Sequence, residues 1–344
     1  MRYLKLLWAL ARVYMPGWIV LYFYDAALPV AQGRRADPKA AAVADLVGLV
    51  RDPNLPPSVE ESRGQMADFV ARFDRPETQV DRRDLTLLGA AGERPARLYR
   101  PLEAPEGALP TLLYFHGGGW VQGGLETHDH LCAKLARRAG IQVISYSYRL
   151  APEHPFPAAP DDVLVAYQTL FKQADALRVD VDRIAVGGDS AGANLTASLL
   201  YTLSAEERRM PAGQLLIYPA VDARLTAKSV QALARHPLLS KARMEGYLDL
   251  YLPADQDRLA PRVSPLFAPS LTGQPPAFVL VAGHDPLWDD GQAYAARLTE
   301  DGLPVELCEF SGQVHGFLNL TKVIPEGDLA ISKAANWLHR TLCK

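Results

Sequence analysis

The chain holds 344 residues, 49% of them hydrophobic, which suits one large α/β domain or two modest ones whose core needs neither disulfides nor metals. Its 36 basic and 39 acidic residues leave a net charge of −3, which argues against a nucleic-acid surface and gives no steering toward acidic partners. Three scattered cysteines, Cys132, Cys308 and Cys343, form no CxxC pair and no even framework, so a reducing, cytoplasmic compartment is the simpler reading, with Cys308 a packed thiol.

At the N-terminus, MRYLKLLWALARVYM places Leu4, Leu7, Trp8, Ala11 and Met15 on one helical face, and Arg2, Lys5 and Arg12 on another. Pro16-Gly17 breaks that helix, and the apolar run Trp18 to Tyr24 follows until Asp25. The interruptions keep every run below the roughly 18 apolar residues of a spanning helix. No clean signal-peptide cleavage site follows. Residues 1–24 are therefore read first as a lid over an apolar pocket, next as a peripheral membrane anchor, and last as a cleaved signal.

Residues 37–74 predict two helices. Asp37-Pro38 supplies a cap and a proline for the first, and Ser58 with Glu61 makes a capping box for the second. Both precede any predicted strand, so they form an appended cap. Short strands follow at Leu85–Leu88 and Ala96–Tyr99. Apolar runs then alternate with helical patterns. The strands are Thr111–Phe115, Gln142–Tyr146, Arg183–Val186, Gln214–Tyr218, Ala277–Ala282 and Val305–Phe310. The helices are Thr127–Arg138, Asp161–Ala176, Ala191–Leu203, Asp290–Glu300 and Leu329–Thr341. Such alternation implies a mostly parallel sheet covered on both faces. The segment from Val221 to Pro261 breaks it and adds helices above the sheet.

One serine, in VGGDSAGAN, sits at the turn from the strand Arg183–Val186 into the helix starting at Ala191. The spacing Gly188-x-Ser190-x-Gly192 fits a sharp strand-to-helix turn, where side chains two residues to either side would crowd the strained central residue. The turn projects Ser190 Oγ above the sheet and leaves free N–H groups at the helix start behind it. A serine hydroxyl needs a base. In the nucleophile-elbow order, serine then acid then histidine, only His236, His284, His315 and His339 qualify. His236 lies in the inserted segment, His339 lies within a helix, and His284 adjoins the best acid. His315 remains, in a loop after Val305–Phe310. Asp285 is the acid, at the end of Phe278–Gly283, while Asp289 and Asp290 read as helix caps. His116-Gly117-Gly118-Gly119 ends another strand in bare backbone suited to an oxyanion, completed by the N–H of Ala191. His116 reads as a structural hydrogen-bonding residue. His128-Asp129-His130 reads as the surface start of a helix, because neighbours two apart share no helical face and no third ligand is evident. No metal and no cofactor are expected.

Together these residues make the chain resemble the hormone-sensitive-lipase family of serine esterases, also called bacterial family IV, from about Asp37 to the C-terminus. His116–Gly119 matches its HGGG motif and Gly188–Gly192, with Asp189, its GDSAG motif. Tyr148–Pro157 matches YRLAPEHPFP, Asp285-Pro286-Leu287 the acid motif, and His315-Gly316-Phe317 the histidine motif; Ser264-Pro265-Leu266 also resembles a recurring segment. The resemblance implies an α/β-hydrolase fold with an eight-stranded sheet under a helical cap, and oxyanion donors at Gly118, Gly119 and Ala191. The implied division is residues 1–80 as N-terminal segment and cap, 81–220 and 262–344 as core, and 221–261 as cap insertion. The expected activity is hydrolysis of short- to medium-chain acyl esters, small molecules, through an acyl-enzyme. Aryl-amide hydrolysis, interfacial lipolysis and a non-catalytic small-molecule receptor are the rivals. Oligomeric state is open, a homodimer being one candidate. Residues 1–36 depart from the family pattern.

Overall fold

Successive residues of the strand Leu109–Phe115 serve two different cores, because side chains alternate across a sheet. Leu112 and Tyr114 join one apolar cluster, Leu113 and Phe115 the other. Every residue of that strand is buried, as expected for a strand covered on both faces. The computed structural model describes residues 2–24, 27–52 and 58–343, without the Arg2 side chain. Met1 and Asp25, named above, lie outside the described residues.

In chain order the elements are helices α1 (Arg2–Tyr14) and α2 (Gly17–Phe23), strands β1 (Val30–Ala31) and β2 (Arg34–Arg35), and helices α3 (Pro38–Val50) and α4 (Val59–Phe73). Next come β3 (Val80–Gly89), β4 (Gly92–Pro101), β5 (Leu109–Phe115), α5 (Leu125–Ala139), β6 (Gln142–Tyr146), α6 (Ala158–Lys172) and α7 (Ala174–Leu177). The remainder is β7 (Val179–Asp189), α8 (Ala191–Ala205), β8 (Gly213–Ile217), α9 (Lys228–Ala232), α10 (Lys241–Tyr251), β9 (Ala277–His284), α11 (Trp288–Glu300), β10 (Val305–Val314) and α12 (Glu326–Leu342). Eight strands form one sheet in the order β10-β9-β8-β7-β5-β6-β4-β3. Pairings β3–β4 and β4–β6 are antiparallel and the other five parallel. The chain leaves β5 for β6 on one side and returns to β7 on the other. The C-terminal ends of β5 and β7 therefore flank the switch point where open α/β sheets bind ligands.

The caps of α3 and α4 follow their sequence signals. Asp37 accepts from the N–H groups of Lys39 (2.8 Å) and Ala40 (3.1 Å). Ser58 and Glu61 close a reciprocal capping box. Strands run longer than their apolar runs. Strand β3 extends five residues before Leu85 because it needs only its ladder with β4 and one buried face. Strand β10 continues through a register irregularity to Val314, so His315 follows the strand directly. A two-stranded hairpin, β1–β2, precedes α3, so strand structure does come before the cap helices. This hairpin is local and carries no apolar alternation to reveal it.

The N-terminal helix buries a different face from the one its pattern suggested. Ala9 and Val13 are fully buried, with Leu6 and Leu10 packed beside them, whereas Leu4, Leu7 and Trp8 are exposed. Both stripes are apolar, so periodicity alone does not choose between them. The small residues Ala40 and Val43 on α3 do, since they let α1 approach closely on the Ala9–Val13 side. Lys39 Nζ donates to the carbonyls of Val13 and Met15 (the latter 2.7 Å), capping the end of α1, and Arg12 pairs with Asp45 at 3.1 Å. Thus α1 and α2 dock on α3, and neither contributes a residue to the pocket above Ser190. Tyr3, Trp18 and Tyr22 stay largely exposed on the outer side. Among the described residues no helix is long and apolar enough to cross a membrane.

Candidate active site

The position of Ser190 is made by crowding. Ser190 directly follows β7 and holds the N-cap position of α8 with φ 55° and ψ −118°, in the region that L-residues seldom occupy. A Cβ at Gly192 would lie 1.9 Å from the Phe115 carbonyl oxygen, and one at Gly188 would lie 2.3 Å from the same atom. Both glycines are required because β5 and the turn into α8 pack backbone against backbone. The Ser190 N–H donates to the Ile217 carbonyl at 2.9 Å, which pins the turn to the neighbouring strand.

Three strand ends then converge. His315, just past β10, places Nε2 3.0 Å from Ser190 Oγ. Its Nδ1 lies 2.7 Å from Asp285 Oδ2, just past β9. Asp285 is fully buried, and its other oxygen accepts from Leu287 N at 2.9 Å. An Nδ1–H donated to that carboxylate leaves Nε2 as an acceptor for the serine proton. The Tyr218 ring packs against His315 with centroids 4.6 Å apart. The β1–β2 segment braces this end of the sheet. Arg34 Nε donates to the Gly283 carbonyl (2.9 Å), His284 Nε2 meets the Arg34 carbonyl (2.9 Å), and Asp37 N donates to the Gly312 carbonyl (2.8 Å). His284 is thus occupied in structure.

Backbone N–H groups face the serine from the other side. Gly118 and Gly119 have φ of +124° and +61°. A Cβ on Gly118 would meet the Gln122 carbonyl at 2.1 Å, and one on Gly119 would meet the Tyr247 ring at 2.3 Å. The Gly117 N–H is already committed to Asp189 Oδ1 at 2.8 Å. Among the described residues the N–H groups of Gly118, Gly119 and Ala191 donate to nothing, so they are open to a substrate oxygen.

Asp189 is a support for that loop. It also accepts from Tyr114 Oη at 2.8 Å and contacts His128 Nε2 at 3.1 Å. Burial pushes its carboxyl up, but His128 beside it and the hydrogen bonds it accepts outweigh that and hold it below the usual carboxylate range. His116 is fully buried, stacked on Tyr148 at 4.4 Å, and within 2.8 Å of the Gly117 carbonyl through Nδ1. Burial, with His128 close by, lowers His116 to about 4, so it stays neutral at neutral pH.

Two expectations need correction. His128 is completely buried and bound to Asp189, and Asp129 gathers Arg82, Arg97 and Tyr99, so this stretch is interior and not a surface helix start. Among the described residues no group of side chains could hold a metal ion. Asp289 and Asp290 do not cap α11, whose cap position is Leu287. Asp290 instead accepts from Val221 N (3.1 Å) and Asp222 N (3.0 Å), and Asp289 from Ser229 N (2.7 Å), tying α11 to the inserted segment. Burial and the nearby Asp222 raise Asp290 well above the ordinary carboxyl value.

The pocket over Ser190 is lined from two distant stretches. Met66, Phe69 and Val70 come from α4, and Met244, Tyr247 and Leu248 from α10. Arg63 on α4 forks onto Glu153 (2.8 Å at both oxygens) and donates to the Val121 and Ala151 carbonyls, clamping the cap to the loops after β5 and β6. Trp120 and Tyr251 stack 4.6 Å apart and join the glycine loop to α10. Arg63, Tyr247, Tyr218 and Gln122 carried no local signal, because each acquires its role only through contacts far along the chain.

The model of a family described as having the alpha/beta hydrolase fold matches residues 112–319, the stretch holding all the residues above from His116 to His315. The carboxylic ester hydrolase LipN of Mycobacterium tuberculosis (strain ATCC 25618 / H37Rv) is 43% identical over 266 residues, covering 75% of this chain and 70% of that protein. The ethyl acetate hydrolase of Pseudomonas putida is 43% identical over 248 residues, covering 71% of this chain and 78% of that one. An ester-hydrolase from the metagenome of Lake Arreo, solved with a derivative of bipyridine phosphonate, superposes with a TM-score of 0.86. It is 39% identical and covers 90% of this chain and 100% of its own. The hyperthermophilic esterase of Pyrobaculum calidifontis gives a TM-score of 0.79 at 34% identity, covering 87% of this chain and 97% of its own.

Proposed function

The chain belongs to the α/β-hydrolase fold family, in its hormone-sensitive-lipase branch, and is a serine carboxylesterase; on that premise we propose that Ser190, His315 and Asp285 carry out the hydrolysis. The observation that carries this reading is the continuous relay from Asp285 Oδ2 through His315 to Ser190 Oγ, at 2.7 and 3.0 Å. Ser190 Oγ attacks the ester carbonyl while His315 Nε2 takes its proton. Asp285 holds the ring in the tautomer that can do so and stabilises the imidazolium once it forms. The carbonyl oxygen becomes an oxyanion beside the free N–H groups of Gly118, Gly119 and Ala191, where the start of α8 favours negative charge. His315 returns the proton to the leaving alcohol. A water then approaches along the same path, gives a proton to His315 and releases the acid from Ser190.

The acyl groups suited to this pocket are short to medium in length, with Met66, Phe69 and Leu248 offering apolar walls. The relatives named as ester hydrolases favour esters as the preferred class. Rapid mixing with a p-nitrophenyl ester tests the two-step course. A burst of p-nitrophenol approaching one equivalent per active chain is expected, followed by slower steady turnover. A strictly linear release, with no transfer of the acyl group to an added nucleophile such as methanol, would count against an acyl-enzyme.

A further inference from the structure

Two arginines of the cap, Arg51 at the end of α3 and Arg243 on α10, reach the same pocket as Ser190. Neither meets a carboxylate among the described residues. Arg243 donates from Nε to Tyr247 Oη at 2.7 Å and from Nη2 to Ser62 Oγ at 3.0 Å, both neutral oxygens. Arg51 lies over the Phe69 ring, 5.6 Å from its centroid. Three other half-buried arginines do pair with carboxylates: Arg63 forks onto Glu153, Arg149 binds Asp162 and Arg97 binds Asp84. Asp222, a carboxylate that lines the pocket, is already paired with the exposed Arg224 at 2.8 Å.

The two guanidinium groups also act on each other. Burial lowers Arg51 to about 10, and the charge on Arg243 pushes in the same direction. Two like charges in a partly dry, mostly apolar pocket are costly unless an anion enters between them. A guanidinium with unfilled donors is matched in geometry to a carboxylate or phosphate. Tyr247 ties this pair to the chemistry. Its ring packs on Gly119, and its hydroxyl accepts from both Arg243 and Gln122 (3.0 Å), the residue that closes the glycine turn.

We propose that Arg51 and Arg243 form an anion-binding subsite of the reaction pocket, so that the preferred esters carry a carboxylate or a similar anion several bonds from the scissile carbonyl. The inference rests on the ester-hydrolase reading and narrows its substrate class. The anion stands on the acyl side, as in a monoester of a dicarboxylic acid, or on the alcohol side, as in an acylated hydroxy acid.

Matched pairs separate these cases. On the acyl side, the mono-p-nitrophenyl ester of adipic acid is compared with p-nitrophenyl hexanoate. On the alcohol side, 6-acetoxyhexanoate is compared with hexyl acetate, followed by acid release. Spontaneous rates are taken from buffer without protein, and Ser190→Ala is measured beside them. The expected reading is a ratio of kcat/KM, anionic over neutral, that favours the anion in one arm. That ratio falls by roughly 10–100-fold in Arg243→Gln and Arg51→Gln, as for loss of a hydrogen bond to a charged group. Arg243→Lys keeps part of the preference, which a purely structural role would not do. Ratios that are the same in wild type and in the double glutamine variant, in both arms, overturn the subsite and leave the esterase intact if the neutral esters still turn over. Failure of Ser190 to matter for any of the four esters overturns both.

Discussion

Ser190→Ala lowers kcat for a p-nitrophenyl ester by on the order of 10⁶, with the affinity for a non-hydrolysed substrate analogue little changed. The size follows from where the oxygen sits. Among the described residues Ser190 Oγ is the one hydroxyl hydrogen-bonded to His315 Nε2, at 3.0 Å, and it stands beside three unoccupied N–H groups. Removing it leaves the oxyanion donors and the pocket, so residual catalysis above the uncatalysed rate survives, on the order of 10³–10⁴-fold. It does not remove a hydrogen bond that holds the turn, because the turn is pinned by the Ser190 N–H to Ile217 and by the glycine contacts with Phe115. The variant therefore folds, and matched thermal melting curves check that. A loss of less than about 10²-fold would mean that another group attacks the ester.

Asp285→Asn lowers kcat by roughly 10⁴ with a much smaller change in KM. Here the argument is about a proton. The carboxylate accepts from His315 Nδ1–H at 2.7 Å with one oxygen and from Leu287 N at 2.9 Å with the other. Asparagine keeps one acceptor oxygen for the Leu287 turn and turns an NH₂ toward the ring. That NH₂ can only donate, so it selects the tautomer with the proton on Nε2. His315 then faces Ser190 as a donor and cannot act as its base. Asp285 has no exposed surface, so the amide group stays against the ring. Stopped-flow or steady-state rates for the variant, with a melting curve as control, measure the effect. Wild-type kcat in this variant would show that the Asp285–His315 contact does not set the base.

What could be read from sequence and what could not differ in the range of the contacts involved. Ser190, Asp285 and His315 were each marked by local punctuation: an apolar run, then glycine or proline, then a polar residue at a strand end. The structure brings these three within hydrogen-bonding distance because every such end points to the same edge of a mostly parallel sheet. The glycines of the turn and of the loop after β5 were legible for the same reason, as the close approach of Phe115 to Gly192 makes plain. Arg51 and Arg243 were not legible. They lie in two segments about 190 residues apart that meet only above the sheet. His128 was read as part of a surface helix start because residues two apart share no helical face and no third ligand was evident, yet it fills a buried site against Asp189. The N-terminal helix was misjudged because apolar residues cover most of its circumference, and only the small residues of α3 decide which stripe is buried.

Catching the enzyme during turnover tests the central claim most directly. A p-nitrophenyl ester is mixed with the protein, the reaction is quenched in acid within the burst, and the chain is digested and weighed. The account predicts one acyl group, carried as an ester on Ser190 and absent from the His315→Ala variant. An acyl group found on a different residue, or an unmodified Ser190 peptide while product is still forming in a burst, would contradict it.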